Sequence, residues 1–581
     1  MTRHWFAALI CLFAAFASAD LRVRDCTIVV PTGATPTEQF AAQELKKYLS
    51  EIVGKDIPID SKDHKGGEIV LMRNIDTIFR SSEQTSLSLF GSSLMILEGG
   101  PRGTLYSVYR LLQKQCGVRW WAPWAIDIPK NPNLTIKNLN ESEAPAFEVR
   151  DPFWSHSFDP AWALPNFDNG ASTGADDDHG GKTQYAGGFV HTYYPLVPPD
   201  KYFAQHPEWY SLINGKRTHD NAQLCTTNPE LRDFIVQQVK ALLKADPQAT
   251  IVSVSQNDCF NPCQCPICRA LAAQEGSDAA LTLDLANYVA DQIKDEFPKV
   301  AVDTLAYQWS RHPTKTMRPR PNVIVRLCSI ECNFADPLFA PSNKPFANDI
   351  EGWHKLANRL YIWDYCTDFA NYLQPEPDYF SLGPTIQWFA KSGVKGVFEE
   401  GDYTSSGGDM AELKAWLIAQ MLWDPTQDPD KLIHEFLKGY YGGADAPIYD
   451  YLKLMSSAAK GVHVSFAMGT NASFLNYDTM SKARKLWVDA ERRVAKEPEK
   501  LARVKMSELS EQFVWLTHWQ QFRDAATAKS DPWPFAPTLQ AAAQAWLAQA
   551  TGPNRPAGYP PITAVDEGSQ SPAAFVASLS H

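Results

Sequence analysis

Apolar positions recur along the chain in two rhythms, and the change between them divides it. From residue 20 to about 140, short apolar runs at 26–31, 57–60 and 68–72 predict strands. Thr35-Pro36-Thr37-Glu38 has the form of a capping box with proline at the first helical position. Ala41, Leu45, Tyr48, Leu49, Ile52 and Val53 follow at helical spacing, and Gly54 supplies a stop. A second helix is predicted from Thr104 to Cys116, with Leu105, Val108, Tyr109 and Leu112 on one face. These elements predict a small N-terminal α/β domain over 20–140 that carries no cluster of reactive side chains.

Between 145 and 425 eight short apolar runs end in polar residues. They are 147–154, 188–194, 222–227, 250–258, 300–309, 322–332, 359–365 and 394–402. Helical stretches at 229–245, 278–296, 376–392 and 409–423 separate several of them. Alternating strands and helices with eight strand candidates predict a (β/α)8 TIM-like barrel. Its longest connection, 165–187, is polar and glycine-rich and reads as a mobile lid. From 426 to 550 the pattern is helical throughout, which predicts a C-terminal helical domain. The last stretch, 551–581, is rich in Pro, Gly and Ser and is expected to be a flexible tail.

Residues 1–19 have a basic start at Arg3, an apolar run from Trp5 to Phe16 and a small-residue end at Ala17-Ser18-Ala19. That is the pattern of a cleaved export signal, so a periplasmic or extracellular protein is expected. No later stretch reaches the length of a membrane span. The net charge of −12 excludes a broad basic surface and argues against nucleic acid as a partner. Aromatic residues, 12% of the chain, fit sugar-stacking platforms as well as core.

In a barrel of this type, functional side chains sit at the C-terminal ends of the strands. Here those ends carry Arg150, His191, Asp258, Trp309, Glu331, Asp364 and Glu399, with Tyr365, Glu400 and Tyr403 beside them. Four acids among them suit glycoside hydrolysis, which needs one proton donor and one group to support the developing cation. The alternative is that some of these acids form structural ion pairs with Arg150, Arg326 or Lys395. Asn257 next to Asp258 suits a 2-acetamido sugar, whose own acetamide oxygen can attack the anomeric carbon; a simple Asn-Asp turn is the alternative. Cys259, Cys263, Cys265 and Cys268 follow directly. In an oxidising compartment they are expected to form disulfides, some with Cys225, in preference to a structural metal site or free thiols. Each of the first two arrangements would brace the loop that presents Asp258. G-x-S-x-G, H-E-x-x-H and P-loop motifs are absent from the sequence, so serine-hydrolase, zincin and nucleotide-dependent readings lack their signals; no catalytic metal and no cofactor is expected.

RLCSIECNFADPL (326–338), VSVSQND with CQCPIC (252–268), IWDYCTDFANYL (362–373) and the long run 393–425 together resemble the barrel of glycoside hydrolase family 163, once labelled domain of unknown function 4838. RLLQKQCGVRWWAP (110–123) resembles the non-catalytic α/β domain that precedes the barrel in hexosaminidases and α-glucuronidases. The resemblance implies a retaining endo-β-N-acetylglucosaminidase acting on N-glycans of a glycoprotein or free glycan. It also implies a site at the positions of Asp258, Glu331, Asp364 and Glu399. Of these, Glu331 lies between Cys328 and Cys332 in an apolar run. Burial there would raise its pKa and make it the general acid. Asn257 and Asp258 then orient the acetamide; in the alternative assignment Asp258 is the acid. Arg150, His191, Trp309, Asp364, Tyr365, Glu399 and Tyr403 are the expected substrate contacts. The chain departs from the family pattern at Glu400, Cys259, Asn333 and Asp336. Two further readings stay open: an exo-acting hexosaminidase or glucuronidase, and a non-catalytic carbohydrate-binding protein with a degenerate barrel.

Overall fold

The structure is a computed structural model that describes residues 20–62, 67–72, 83–100, 102–553 and 555–579. The segment 1–19, read above as an export signal, lies outside them. The described residues form two compact units where three folded domains were expected. Of the described residues, the first unit holds those up to Pro145 apart from 120–125, together with 175–181, and the second holds the rest.

In the first unit six strands, β1 (Cys26–Val29), β2 (Ile59–Asp60), β3 (Gly67–Met72), β4 (Thr85–Phe90), β5 (Ser93–Glu98) and β6 (Asn140–Glu143), form one sheet in the order β6-β4-β5-β3-β1-β2. Helices α1 (Pro36–Val53) and α2 (Gly103–Lys114) accompany it. The capping box is present as read: Thr35 Oγ1 accepts from the Glu38 backbone at 3.2 Å. Gly54 closes α1 at φ 65°, a left-handed conformation that favours glycine.

The second unit is built on seven parallel strands: β7 (Val149–Phe153), β8 (Tyr185–Ala186), β9 (Ile251–Ser253), β10 (Ala301–Ala306), β11 (Val323–Cys328), β12 (Leu360–Tyr365) and β13 (Gly396–Glu400). Their order is β7-β13-β12-β11-β10-β9-β8. Among the described residues the edge strands β7 and β8 do not pair, so the sheet is a curled half-barrel. Two of the eight expected strands are corrected. Run 188–194 lies beyond its strand, because His191 takes φ 55° and breaks the extended backbone. Run 222–227 makes only an isolated bridge between Leu224 and Tyr210, and Cys225 is drawn into a cluster of thiols.

The curl stacks its inner face in layers. Val149, Ile251, Ala301, Ile324 and Tyr361 form an apolar floor. Above it, buried Arg326 pairs with buried Asp303 at 2.7 Å, and the Tyr185 hydroxyl also donates to Asp303, at 3.3 Å. Arg326 is thus the structural ion-pair partner that the sequence offered as an alternative, but for Asp303. The top layer is the cavity described below.

Outside the sheet lie α3 (Pro229–Ala245), α4 (Pro266–Glu275), α5 (Ala279–Ile293), α6 (Lys344–Leu356), α7 (Leu382–Lys391) and α8 (Ala411–Trp423). Further helices run from Pro429 to Thr551 and belong to the same compact unit as the sheet. The end of the chain is not a loose tail. Tyr559, Ile562, Val565, Phe575 and Val576 are buried in one core with Phe513 and Trp546. The rings of Phe513 and Phe575 stack at 4.7 Å. Apolar residues dispersed among Pro and Gly give no periodicity, yet each fills a site on the preceding helices. The 165–187 connection is anchored at both ends within this unit: Asp168, Asn169 and Thr173 are buried, and Thr183 N donates to Asn169 O at 2.9 Å.

Candidate active site

A cavity of about 390 Å³ opens at the C-terminal ends of the strands. Its polar lining includes Asp258, Tyr307, Gln308, Glu400, His191 and Glu567. Trp363, Tyr365, Phe369 and Phe466 give it aromatic walls. Two lining residues other than glycine hold left-handed backbone, His191 at φ 55° and Gln308 at φ 50°. Such conformations cluster at functional sites, where surrounding structure enforces them.

Strand alternation decides which acids reach this cavity. Trp363 and Tyr365 on β12 point inward, and Tyr365 is in register with Glu400 on β13. Asp364 and Glu399 are the intervening residues, in register with each other, and point outward beneath the helices. Asp364 accepts from Ser329 Oγ, and Glu399 accepts from the Cys366 thiol at 2.9 Å. Both are buried, and burial raises both carboxyl pKa values, that of Asp364 to about 7. The expectation that these two acids contact substrate is therefore corrected by one residue of register.

Glu400 is the carboxyl that faces inward. It is 8% exposed and accepts a hydrogen bond from Trp363 Nε1 at 2.8 Å. Burial pushes its pKa up to about 8; the indole donor opposes this, and the charges of Glu567 and Asp258 reinforce it. Gly401 lets the strand end approach Trp154, since a Cβ there would lie 2.0 Å from the indole ring. Asp258 is exposed on the same cavity and accepts from the Tyr307 hydroxyl at 3.1 Å. Gln308 Nε2 donates to that hydroxyl at 2.9 Å. Burial first, then Asp258, keeps the Tyr307 phenol protonated and able to donate. His191 Nδ1 donates to the Gln256 carbonyl at 2.8 Å, which fixes the ring against the cavity wall.

The remaining expected residues divide as follows. Tyr365 lines the cavity. Tyr403 reaches it through Glu567, to which its hydroxyl donates at 2.8 Å. Glu331 is not the buried acid expected: its side chain is 42% exposed and pairs with Arg311 at 2.8 Å. Alternation again explains this, since Cys328 takes the inward position and the chain leaves the sheet before Glu331. Arg150 is buried on the outer side of β7, donating to the carbonyls of Phe147 and Phe167, each at 2.8 Å. Asn257 spends its amide on the backbone, donating to Ala222 O at 3.0 Å and accepting from Tyr194 N at 3.2 Å. It braces the loop beside Asp258 and does not line the cavity. Trp309 donates to the Cys259 carbonyl at 3.1 Å and packs on the thiol cluster.

Sequence reasoning missed Glu567 and Phe466, which come from segments after the barrel and carried no motif. It noted Glu400 only as the neighbour of Glu399 and as a departure from the family pattern. The ten described cysteines are all free thiols. Cys259 stands apart, while Cys225, Cys263, Cys265 and Cys268 converge with every Sγ within 4.8 Å of the others. The disulfide expectation is thereby corrected: Cys225 Sγ lies 3.7 Å from Cys265 and 4.0 Å from Cys268, far beyond a disulfide bond of about 2.05 Å.

A model of the family described as domain of unknown function DUF4838 matches residues 120–453, more than half of the 581-residue chain. No curated protein matches. Among solved structures, one of a family GH115 4-O-methyl-α-glucuronidase with specificity for decorated arabinogalactans is similar. It has 12% identity and a TM-score of 0.53, and the match covers 91% of this chain and 77% of that one. That likeness bears on the fold alone. A GH20 β-N-acetylhexosaminidase from Streptomyces coelicolor A3(2) matches at 13% identity and TM-score 0.42, over 74% of this chain and 93% of that one. A GH138 enzyme targeting pectin rhamnogalacturonan II matches at 11% identity and TM-score 0.41, over 96% and 98%. Neither of these two is close enough to carry an argument.

Proposed function

The chain belongs to the DUF4838 family, and from that premise we propose that it is a glycoside hydrolase with Glu400 as its general acid. The observation that carries the reading is the contrast between two carboxyls on one cavity. Glu400 is buried and titrates at about 8, so it holds its proton at neutral pH. Asp258 is exposed and held by a phenol. Two carboxyls separated by environment in this way are the arrangement that acid-assisted glycosyl cleavage uses.

The finer reading is a retaining endo-β-N-acetylglucosaminidase of the family 163 type, exported, with substrate assistance. Glu400 gives its proton to the leaving glycosidic oxygen. As the C–O bond breaks, the acetamide oxygen of the substrate bonds to the anomeric carbon. Asp258, oriented by Tyr307, accepts the acetamide N–H and supports the positive charge that forms there. Glu400, now a carboxylate, takes a proton from a water that attacks the anomeric carbon from the original side, and the bond between that carbon and the acetamide oxygen breaks as the water adds. Configuration is retained. Trp363 and Tyr365, whose rings lie nearly parallel at 6.0 Å, offer a stacking wall for the sugar.

The glucuronidase alternative is disfavoured by charge. Among the described residues that line the cavity none is Lys or Arg, while three are acidic. A uronate carboxylate would meet repulsion there. A purely binding role gives no reason for a buried, proton-holding Glu400.

Digestion of a glycoprotein panel, read by mass spectrometry, tests the proposal. Release of oligosaccharides ending in reducing N-acetylglucosamine, with inhibition by an N-acetylglucosamine thiazoline, is expected. Release of monosaccharides alone would overturn endo action, and no hydrolysis of any glycan would overturn the enzyme.

A further inference from the structure

Four thiols meet outside the cavity, and the catalytic reading does not use them. Cys225 follows the isolated bridge at Leu224; Cys263 precedes α4, Cys265 caps it and Cys268 lies in its first turn. All four are buried. From these positions we infer that the chain holds a structural zinc ion on Cys225, Cys263, Cys265 and Cys268.

The spacing fits. A tetrahedron with Zn–S bonds of about 2.3 Å has S–S edges of about 3.8 Å. The Sγ of Cys225 lies 3.7 Å from that of Cys265 and 4.0 Å from that of Cys268. A disulfide would need one pair to close to about 2.05 Å and would leave the packed set distorted. Four thiolate sulfurs in a tetrahedron are the donor set of zinc or of an iron–sulfur centre.

The surroundings are built for thiolates. Leu212 N donates to Cys263 Sγ at 3.3 Å, and Cys268 N donates to Cys265 Sγ at 3.4 Å. Thr227 Oγ1 lies 3.1 Å from Cys268 Sγ. Arg217 Nη1 donates to Cys263 Sγ at 3.7 Å and offsets the net negative charge of a tetrathiolate zinc centre. Such outer donors orient ligands and tune a metal site. Leu212, Leu271, Leu281 and Trp309 wrap the cluster and keep it dry.

The position gives the ion a purpose. Cys225 and Cys263 tie together the two segments that support the Asp258 loop. Between them, Gln223 Nε2 donates to Asn257 O at 3.1 Å, and Asn257 N donates to Gln223 Oε1 at 2.9 Å. The ion would therefore fix the loop without touching substrate.

The test uses the full chain, expressed in defined medium containing zinc and purified without a polyhistidine tag. Elemental analysis should give one zinc per chain. A mercurial should release it in step with titration of four thiols, and non-reducing peptide mapping should find no disulfide among the four. Cobalt exchange should produce the visible bands of a tetrahedral tetrathiolate site. Cys259→Ser should keep the full metal content, because that thiol lies outside the cluster, whereas Cys268→Ser should lose it. Should Cys268→Ser fail to fold, the wild-type zinc, thiol and cobalt measurements decide alone. Two mapped disulfides within the set, or zinc no higher than in Cys268→Ser, would overturn the site; iron in place of zinc would overturn the identity of the ion.

Discussion

The indole of Trp363 donates a 2.8 Å hydrogen bond to Glu400 Oε2 inside the cavity wall. This donor favours the carboxylate, yet burial and the neighbouring acids outweigh it and the carboxyl pKa stands at about 8 against an ordinary 4.5. If Glu400 is the general acid, its protonated form is the active one, and kcat should fall as pH rises through about 8. Glu400→Gln should lose roughly 10²–10⁴-fold in kcat together with that alkaline limb. Trp363→Phe removes a donor to the charged form, so the limb should move to higher pH. Unfolding would release the extra proton between pH 4.5 and 8, so the folded state loses stability as pH rises across that window. Denaturation of Glu400→Gln should show a flatter pH slope. An alkaline limb retained in Glu400→Gln would assign it to another group.

Tyr307 links Gln308 to Asp258 through two hydrogen bonds of 2.9 and 3.1 Å. Asp258→Asn keeps the shape but removes the charge that would support the acetamide, so kcat should fall by roughly 10²-fold or more. Tyr307→Phe leaves the charge and loses one hydrogen bond to it, worth about 1.5–3 kcal/mol, or roughly 10- to 100-fold. A substrate with an acidic aryl leaving group should rescue Glu400→Gln and leave Asp258→Asn impaired, because only the first defect concerns the departing oxygen. Equal rescue of both variants would refute separate roles.

Much of the scaffold was legible in the sequence because its signals are local. The cap at Thr35, the stop at Gly54 and most strand positions of the second unit follow from spacing alone. The site was read one residue out of register. Glu399 and Glu400 sit side by side, and only the sheet's inward face distinguishes the outward Glu399 from the inward Glu400. The same one-residue ambiguity drew attention to Asp364 over its inward neighbour Trp363, while Tyr365, expected as a contact, does line the cavity. Glu331 illustrates a second limit: apolar neighbours in sequence imply burial only while the strand continues, and here it ends at Cys328. Glu567 was hidden because a cavity wall supplied from a distant, aperiodic segment leaves no local pattern. The thiols were legible as a group, but the position of Cys225 opposite them needed the fold.

Glu567 joins the end of the chain to the cavity through two contacts, its backbone N donating to Phe369 O at 2.9 Å and its carboxylate accepting from Tyr403. Its charge raises the Glu400 pKa, so Glu567→Gln should move the alkaline limb of the rate profile to lower pH. Truncation after Thr551 removes Tyr559, Ile562, Val565 and Phe575 from a shared core and bares Phe513 and Trp546. Burial of a large apolar side chain contributes about 1.5–3 kcal/mol, so the truncated chain should melt well below the full one. Circular dichroism melts check the second effect and pH–rate profiles the first. A truncated chain with an unchanged melting temperature would show that the segment contributes no stability.

Lys414 on α8 is buried, with its ammonium 2.8 Å from Asp378 and 3.9 Å from Asp409. It also donates to the carbonyls of Glu376 and Cys366, at 3.1 and 3.4 Å. Burial alone would depress its pKa, but Asp378, Asp409 and Glu376 outweigh that and keep it charged. Lys414→Met leaves these acids without their cation, and breaking a buried pair on one side costs about 3–5 kcal/mol. The loss should depend on pH with a definite sign. Asp378 stands at about 6 with the lysine present, because burial raises it and Lys414 partly restrains the rise. Without the lysine it titrates higher, so at low pH the acids are neutral in either protein and the deficit is small. As pH rises, the variant must bury unpaired charge or hold protons that the solvent draws away, and the deficit grows. Melting temperatures measured at pH 5 and pH 8 should therefore diverge more at pH 8. A deficit that is equal at both values would show that Lys414 acts through packing of its aliphatic stem and not through its charge.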